Sequence, residues 1–292
     1  MRISVVIPAY NAEPFMRRCL QSVFAQTLKP HEIIVMDDGS TDKTAALAAE
    51  LGARVLSGPN RGPSFARNEA MRAASGEWIA LLDADDLWAP NKLECQTAII
   101  RPETLLVYTG VQTFDDAGLR DTVFAIDPAR VKKMLRYCNP IVPSATLIRR
   151  DDVLRIGGFR EGLAACEDWE MWMRLKNMGR FDAVREPLTS YYIHSASLSA
   201  NPETMLAGLS KIMNSALLAD LQGIKRRIWR QRSLATQLAS AGLIARENGL
   251  TTELSYMFQS LLAWPFPSWE PRRLVMFAIS ARNRLRQRNY VW

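Results

Sequence analysis

The chain has 292 residues, 48% of them hydrophobic and 23% charged, which is enough to bury a sizeable core and too ordinary a composition for a disordered, collagen-like or solenoid chain. Its net charge of +7 is unevenly spread: residues 1–200 carry 24 Lys and Arg against 25 Asp and Glu, whereas residues 201–292 carry 13 against 5. That balance in the first part argues against a nucleic-acid-binding surface, because acidic clusters repel phosphate.

Four cysteines, Cys19, Cys95, Cys138 and Cys166, form no C-x-x-C pair, so neither a zinc site nor a disulfide framework is expected, and a reducing cytoplasmic compartment fits. The chain enters a strand-like run within two residues of Met1, which predicts no signal peptide. The best late apolar run, Leu274 to Ile279, falls far short of the roughly 18 residues a spanning helix needs.

In chain order, Ile3 to Pro8 reads as a strand, Glu13 to Ala25 as a helix, and Glu32 to Met36 as a second strand closed by Asp37-Asp38-Gly39-Ser40. A helix near Asp42 to Leu51, a short strand at Arg54 to Leu56, a helix from Ser64 to Ala74 and a buried strand from Trp78 to Leu82 follow. The alternation predicts an α/β fold, a mostly parallel central sheet with helices on both faces. Beyond residue 105 it weakens to strands at Tyr108 to Phe114 and Ala145 to Ile148 and an aromatic-rich helix from Glu167 to Asn177. From about 203 the chain reads as helical and basic, broken at Trp264-Pro265-Phe266-Pro267, where two prolines forbid a continuous helix. These readings divide it into residues 1–202 and a basic helical C-terminal region, 203–292.

Ligands of such sheets sit beyond the carboxyl ends of the strands, and the polar clusters fall there. In LLDADDLW a strand delivers Asp83, Asp85 and Asp86 into one loop, where crowded carboxylates suit a hard divalent ion. A solvated turn capping the next helix is the alternative. Asp38 ends the second strand, where it can accept hydrogen bonds from a base or ribose, and Gly39 allows a sharp turn; plain turn chemistry explains the same residues. GPNRGPSFARNEAM has neither P-loop nor dinucleotide spacing. Its Arg67 can pair with a carboxylate or a diphosphate oxygen, or stand exposed on a helix. Glu167 and Asp168 open a helix whose dipole favours an ionised carboxylate, so Asp168 reads as a general base or a cap. Trp169, Trp172 and Met173 share one face of that helix and read as packing. His194, one of two histidines, reads as a metal or phosphate ligand or as structural.

Taken together, SVVIPAYNAE, IIVMDDGSTD, NRGPSFARNEAM, GEWIALLDADD, GGFREGLAACEDWEMWMRL and YYIHSASLS resemble the family 2 glycosyltransferases with the GT-A fold, over about residues 3–200. The resemblance implies an inverting transferase. Pro8, Tyr10 and Glu13 would line a nucleotide pocket, and Asp38 would bind the base, usually uracil. Arg67 would hold the pocket together near Asp83 or contact the diphosphate. Asp83 and Asp85 match the D-x-D motif, with Asp85 ligating Mn²⁺ or Mg²⁺, Asp83 reaching the ribose and His194 completing the metal or phosphate environment. Asp168 matches the general base. Family members commonly carry arginine two residues before the histidine of the last motif; this chain has Tyr192.

The implied partners are a nucleotide-diphosphate sugar, with UDP favoured, and a glycan or lipid-linked acceptor. The basic C-terminal region, with Lys225, Arg226, Arg227, Trp229 and Arg230 and later Arg282, Arg284, Arg286 and Arg288 beside Trp264, Phe266, Trp269 and Trp292, reads as meeting an anionic membrane face peripherally or as a solvated basic helical bundle or oligomer contact. The rival readings are a sugar nucleotidyltransferase and a non-enzymatic basic membrane- or nucleic-acid-binding protein.

Overall fold

A computed structural model describes residues 1–194, 201–213, 218, 221–247 and 252–264. The chain forms two compact units: Met1–Lys133 with Pro140–Leu163 and Glu167–His194 make the first, and the second takes Met134–Asn139, Ala164–Cys166 and the chain from residue 195 onward.

The first unit begins with β1 (Ile3–Ala9), α1 (Glu13–Phe24), β2 (Glu32–Asp37), α2 (Thr44–Glu50), β3 (Arg54–Ser57), α3 (Pro63–Ala73) and β4 (Trp78–Leu81). It continues through β5 (Leu87–Trp88), α4 (Lys92–Ala98), β6 (Thr104–Asp115), β7 (Gly118–Val123), α5 (Pro128–Met134), β8 (Thr146–Arg149), α6 (Arg150–Arg155), α7 (Glu167–Leu175) and β9 (Arg180–Tyr192). The sheet runs β3-β2-β1-β4-β8-β6-β9-β5, with β7 paired to β6. The expected parallel order holds along β3-β2-β1-β4. Beyond β4 the sheet is mixed. β8 pairs antiparallel with both β4 and β6, β7 returns along β6 as a hairpin, and β5 runs against β9, while β6 and β9 are parallel. The turn at Asp116-Ala117 is too short for a parallel crossover, so the β6–β7 pairing must be antiparallel.

All seven residues of β1 are buried, as expected of a strand covered on both faces. Ile3, Val5, Ile7 and Ala9 join one core with Met16, Cys19, Leu20 and Val23 of α1, Ala48 of α2 and Leu93 of α4. The α1 residues recur at three- and four-residue spacing and form a single apolar stripe. The alternate residues Val6, Ile34, Ile79 and Leu81 are equally buried but lie outside that cluster, as do Phe65, Ala66, Ala70 and Met71 of α3, which packs on β1 and β2. Helices therefore cover both faces.

In the second unit α8 (Pro202–Ile212), α9 (Gly223–Glu247) and α10 (Glu253–Ala263) are helical. Asn201 caps α8 by accepting from the N–H groups of Glu203 and Thr204. Ser260 of α10 donates to the Ala235 carbonyl of α9 at 2.6 Å, and the Met257 side chain lies against Gly242. At the start of α9, Lys225, Arg227 and Arg230 are exposed beside Ile224 and Ile228. Trp229 stacks on Tyr137 at 5.9 Å, with Arg232 over its ring at 4.7 Å. No helix among the described residues is long and apolar enough to cross a membrane. The readings at Ser195 to Ser199, Phe266, Trp269, Leu274 to Ile279, Arg282 to Arg288 and Trp292 lie outside the described residues.

Candidate functional site

The loops beyond β1 and β2 close on each other through main-chain donors. Asn11, held at φ +48 in the left-handed region that asparagine tolerates, donates its N–H to Ser40 Oγ at 2.9 Å and accepts the Thr41 N–H at 2.9 Å. Glu13 accepts the Lys43 N–H at 2.9 Å, and Asp42 accepts the Glu13 N–H at 3.1 Å. The Glu13 side chain thus clamps two loops. Pro8 is buried at the end of β1, and Tyr10 just beyond it is 51% exposed, leaving its ring free to meet a ligand.

Asp38 is buried, and both carboxylate oxygens are engaged: Oδ1 accepts the Arg61 N–H at 2.9 Å and Oδ2 the Gly62 N–H at 2.7 Å. This carboxylate fixes the loop that leads into α3, and each oxygen keeps a lone pair for a further donor. Gly39, at φ +79, brings the turn so close that a Cβ there would lie 2.9 Å from Asn60 N, so only glycine fits.

The acidic loop beyond β4 is held by side chains from distant parts of the sequence. Arg67, buried on α3, donates Nη2 to Asp83 Oδ1 at 2.6 Å and Nη1 to Glu167 Oε1 at 2.8 Å. Burial would lower the guanidinium pKa, but the two carboxylates overcome that and raise it. One planar fork therefore joins the D-x-D loop to the start of α7, a geometry a lysine ammonium could not reproduce. Glu167 had stood out in the sequence only as the neighbour of Asp168; here it is the second partner of Arg67.

Asp85 Oδ2 lies 2.9 Å from His194 Nε2, and the imidazole stacks on Phe15 at 5.2 Å. Burial, and then the charge of Asp83, raise the Asp85 pKa. Asp86 is fully buried; Ser144 Oγ donates to its Oδ2, and the Tyr192 N–H donates to its Oδ1 at 3.0 Å. Burial and the neighbouring Asp85 and Asp83 push its carboxyl well up. Ser144 also accepts the Asp83 N–H at 3.0 Å, so this one hydroxyl orients two members of the loop. Nothing in the sequence around Ser144 marks that role.

Asp168 sits half-buried in the first turn of α7, where the helix dipole favours its charged form, and its Oδ1 accepts the Trp169 N–H at 2.6 Å. Cys166, two residues before it, is at φ +65, a left-handed turn that sets the direction of entry into α7. Trp169, Trp172 and Met173 are buried, and the Trp172 indole donates to the Ile141 carbonyl at 3.1 Å; these rings are packing.

Two carboxylates and an imidazole at Asp83, Asp85 and His194 are a donor set that Mn²⁺ or Mg²⁺ accepts. Burial raises the Asp85 pKa most, and the charge of Asp83, which adds to it, is a repulsion that a bound cation relieves. Among the described residues no three or more His, Cys, Asp or Glu side chains are grouped so as to hold a metal ion by themselves. The structure thus brings together Arg67, Asp83, Asp85, His194 and, through Glu167, the α7 turn that carries Asp168. Pro8, Tyr10, Glu13 and Asp38 form the separate cluster at the ends of β1 and β2.

This arrangement has relatives. Residues 4–151 match the family described as Glycosyl transferase family 2. A UDP-Glc:alpha-D-GlcNAc-diphosphoundecaprenol beta-1,3-glucosyltransferase of Escherichia coli, WfaP, is 29% identical over 219 residues, covering 73% of this chain and 86% of that protein. An uncharacterised glycosyltransferase of Rickettsia typhi is 28% identical over 213 residues, covering 66% of this chain. The chain spans only 64% of the length of that Rickettsia relative. Among solved structures, Staphylococcus aureus TarS 1–349 in complex with UDP-GlcNAc superposes with a TM-score of 0.64 at 19% identity, over 90% of this chain and 81% of that one. A mannosyltransferase of Pyrobaculum calidifontis in complex with GDP-Man and Mn²⁺ does so with a TM-score of 0.60 at 19% identity, over 97% and 86%. The fold is that of these GT-A enzymes, and the chain belongs to glycosyl transferase family 2.

Proposed function

We propose that this protein is an inverting glycosyltransferase that moves a sugar from a nucleoside diphosphate sugar, UDP-linked by preference, to an acceptor hydroxyl in surface polysaccharide or glycolipid synthesis. The observation that carries the reading is the Arg67 fork, which ties Asp83 of the acidic loop to Glu167 beside Asp168. In this reading the donor-binding loop and the candidate base, tied through Arg67, face one cleft. The E. coli relative, whose acceptor is a diphosphoundecaprenol-linked sugar, supports a lipid-linked acceptor.

In this reading Tyr10 and the Asp38 loop hold the base, Pro8 and Glu13 shape the pocket, and Asp83 reaches the ribose. Asp168 takes the proton from the acceptor hydroxyl, whose oxygen attacks the anomeric carbon from the face opposite the diphosphate. The bond from that carbon to the diphosphate oxygen breaks, the nucleoside diphosphate departs and the configuration inverts. A divalent ion held by Asp85, with Asp83 and His194 around it, would neutralise charge on the leaving diphosphate. Residues 1–202 would carry this catalysis. Residues 203–292 would rest on an anionic cytoplasmic membrane face through the exposed basic start of α9, each cation there contributing about 1 kcal/mol.

The test is turnover with a panel of UDP-, dTDP- and GDP-sugars, with and without Mn²⁺ or Mg²⁺, the lipid-linked acceptor being embedded in anionic or neutral vesicles. Release of nucleoside diphosphate is expected, fastest with the ion and on anionic vesicles. Release of inorganic pyrophosphate instead would establish the nucleotidyltransferase alternative, and equal rates on both vesicles would remove the membrane role.

A further inference from the structure

A cavity of about 150 Å³ on the side of α1 is lined by Arg18, Asp85, Leu87, Phe114, Asp115, Ser190 and Tyr192. It is too small for a whole nucleotide, since sites for drug-sized ligands run to about 300 Å³ or more. It suits one group of a larger ligand.

The cation in it is Arg18. Its guanidinium lies over the Tyr192 ring at 4.6 Å and the Phe15 ring at 5.2 Å, a double aromatic contact that fixes its plane. Its Nε and Nη2 are buried and have no hydrogen-bond acceptor. The carboxylates nearby bond elsewhere, Asp85 to His194 at 2.9 Å and Asp115 to Arg120 at 3.3 Å and the Ala117 N–H at 2.8 Å, and neither accepts from Arg18 Nε or Nη2. Buried polar groups in folded proteins are almost always paired, and a guanidinium held flat with two unpaired donors has the chemistry that matches phosphate oxygens. Tyr192 supplies the surface that holds Arg18 in place.

We propose that Arg18 binds a phosphate oxygen in this cavity, holding a diphosphate-bearing substrate beside Asp85. The proposal rests on the transferase reading above, and the diphosphate belongs either to the nucleoside diphosphate donor or to a lipid-linked acceptor. Arg18 then acts as a substrate-binding residue that the motifs around Asp85 and His194 do not include.

The experiment measures binding of UDP, farnesyl diphosphate and inorganic diphosphate to the full chain in Mn²⁺ by calorimetry, for the wild type and Arg18→Gln. Arg17→Gln is the matched control, because Arg17 is the next residue on α1, 54% exposed in its side chain and 3.8 Å from Glu50. Arg18→Gln should weaken UDP by at least tenfold if the group is the donor's, or farnesyl diphosphate by at least tenfold if it is the acceptor's, with Arg17→Gln unchanged. Unaltered binding of all three probes to a folded Arg18→Gln chain overturns the proposal. Should Arg18→Gln fail to fold by circular dichroism, Arg18→Lys keeps the charge and the stem but not the fork; it should still lose affinity, and wild-type affinity in it overturns the proposal. A wild-type chain that binds inorganic diphosphate but no nucleoside diphosphate refutes the transferase reading alone, and Arg18 is then judged on inorganic diphosphate. A chain that binds no probe refutes both.

Discussion

Around the ends of β1 and β2 the candidate site is closed by main-chain donors over short stretches: Lys43 N–H to Glu13 spans 30 residues and Gly62 N–H to Asp38 spans 24. Around β4 it is closed by side chains reaching much further, with Ser144 to Asp86 spanning 58 residues, Arg67 to Glu167 100 and Asp85 to His194 109. In the first arrangement each donor is a backbone N–H, present whatever side chain occupies its position, and only the acceptors, Glu13 and Asp38, are side chains. The second exists only while a few charged groups keep their partners. Loops ordered in part by the main chain are thus combined with an acidic loop whose order depends on pairs of side chains.

The sharpest way to break this contrast is Asp168→Asn. It should lower kcat by about 10²- to 10⁴-fold, the usual worth of a positioned base, with donor KM and thermal unfolding nearly unchanged. A variant that keeps its kcat would remove Asp168 from the chemistry. Next comes Arg67→Met, which leaves two carboxylates without their shared cation; losing one partner of a buried ion pair costs about 3–5 kcal/mol, read from denaturant unfolding. Adding Glu167→Gln to that variant should restore part of the loss, a coupling that independent sites would not show.

The smallest effect is expected in the strand-built half. Burial works against the charge on Glu32, but hydrogen bonds from the Ser4 hydroxyl and from the N–H and hydroxyl of Ser75, with Arg54 beside them, lower its carboxyl from 4.5 to about 2. A lowered acid pKa stabilises the fold above 4.5, and that stabilisation is lost as pH falls towards 2. Glu32→Gln should therefore be slightly less stable than the wild type at pH 7, and the gap should close between pH 4.5 and 2. A gap that widens on acidification would contradict this assignment.

The same contrast governs what could be read from the sequence. β1, β2, β4 and the helices between them announce themselves through compact apolar runs and helical spacing, and their loops fall where ligands of parallel sheets sit. β9 carries Arg180, Asp182, Arg185, Glu186 and Pro187 within its span and meets β6 through register shifts around Gly110, so no period-2 pattern survives to reveal it. β5 is two residues long, below any pattern. In the candidate site, the sequence marks Asp83, Asp85, Arg67 and Asp168 because charge at a strand end or helix start is conspicuous. It does not mark Ser144, the pairing of Arg67 with Glu167 or the placement of Arg18, since each depends on segments that meet only in three dimensions.

The reach of the Arg67 fork also bears on how the protein is made. A growing chain can complete β1 to β4 and seat α3 well before Glu167 has been synthesised, and in that interval Arg67 has Asp83 as its sole carboxylate partner from the finished fork. The loops beyond β1 and β2 can therefore take shape on the ribosome, whereas the full Arg67 fork waits for α7, and a nascent chain halted before that helix would hold the acidic loop without Glu167 or Asp168.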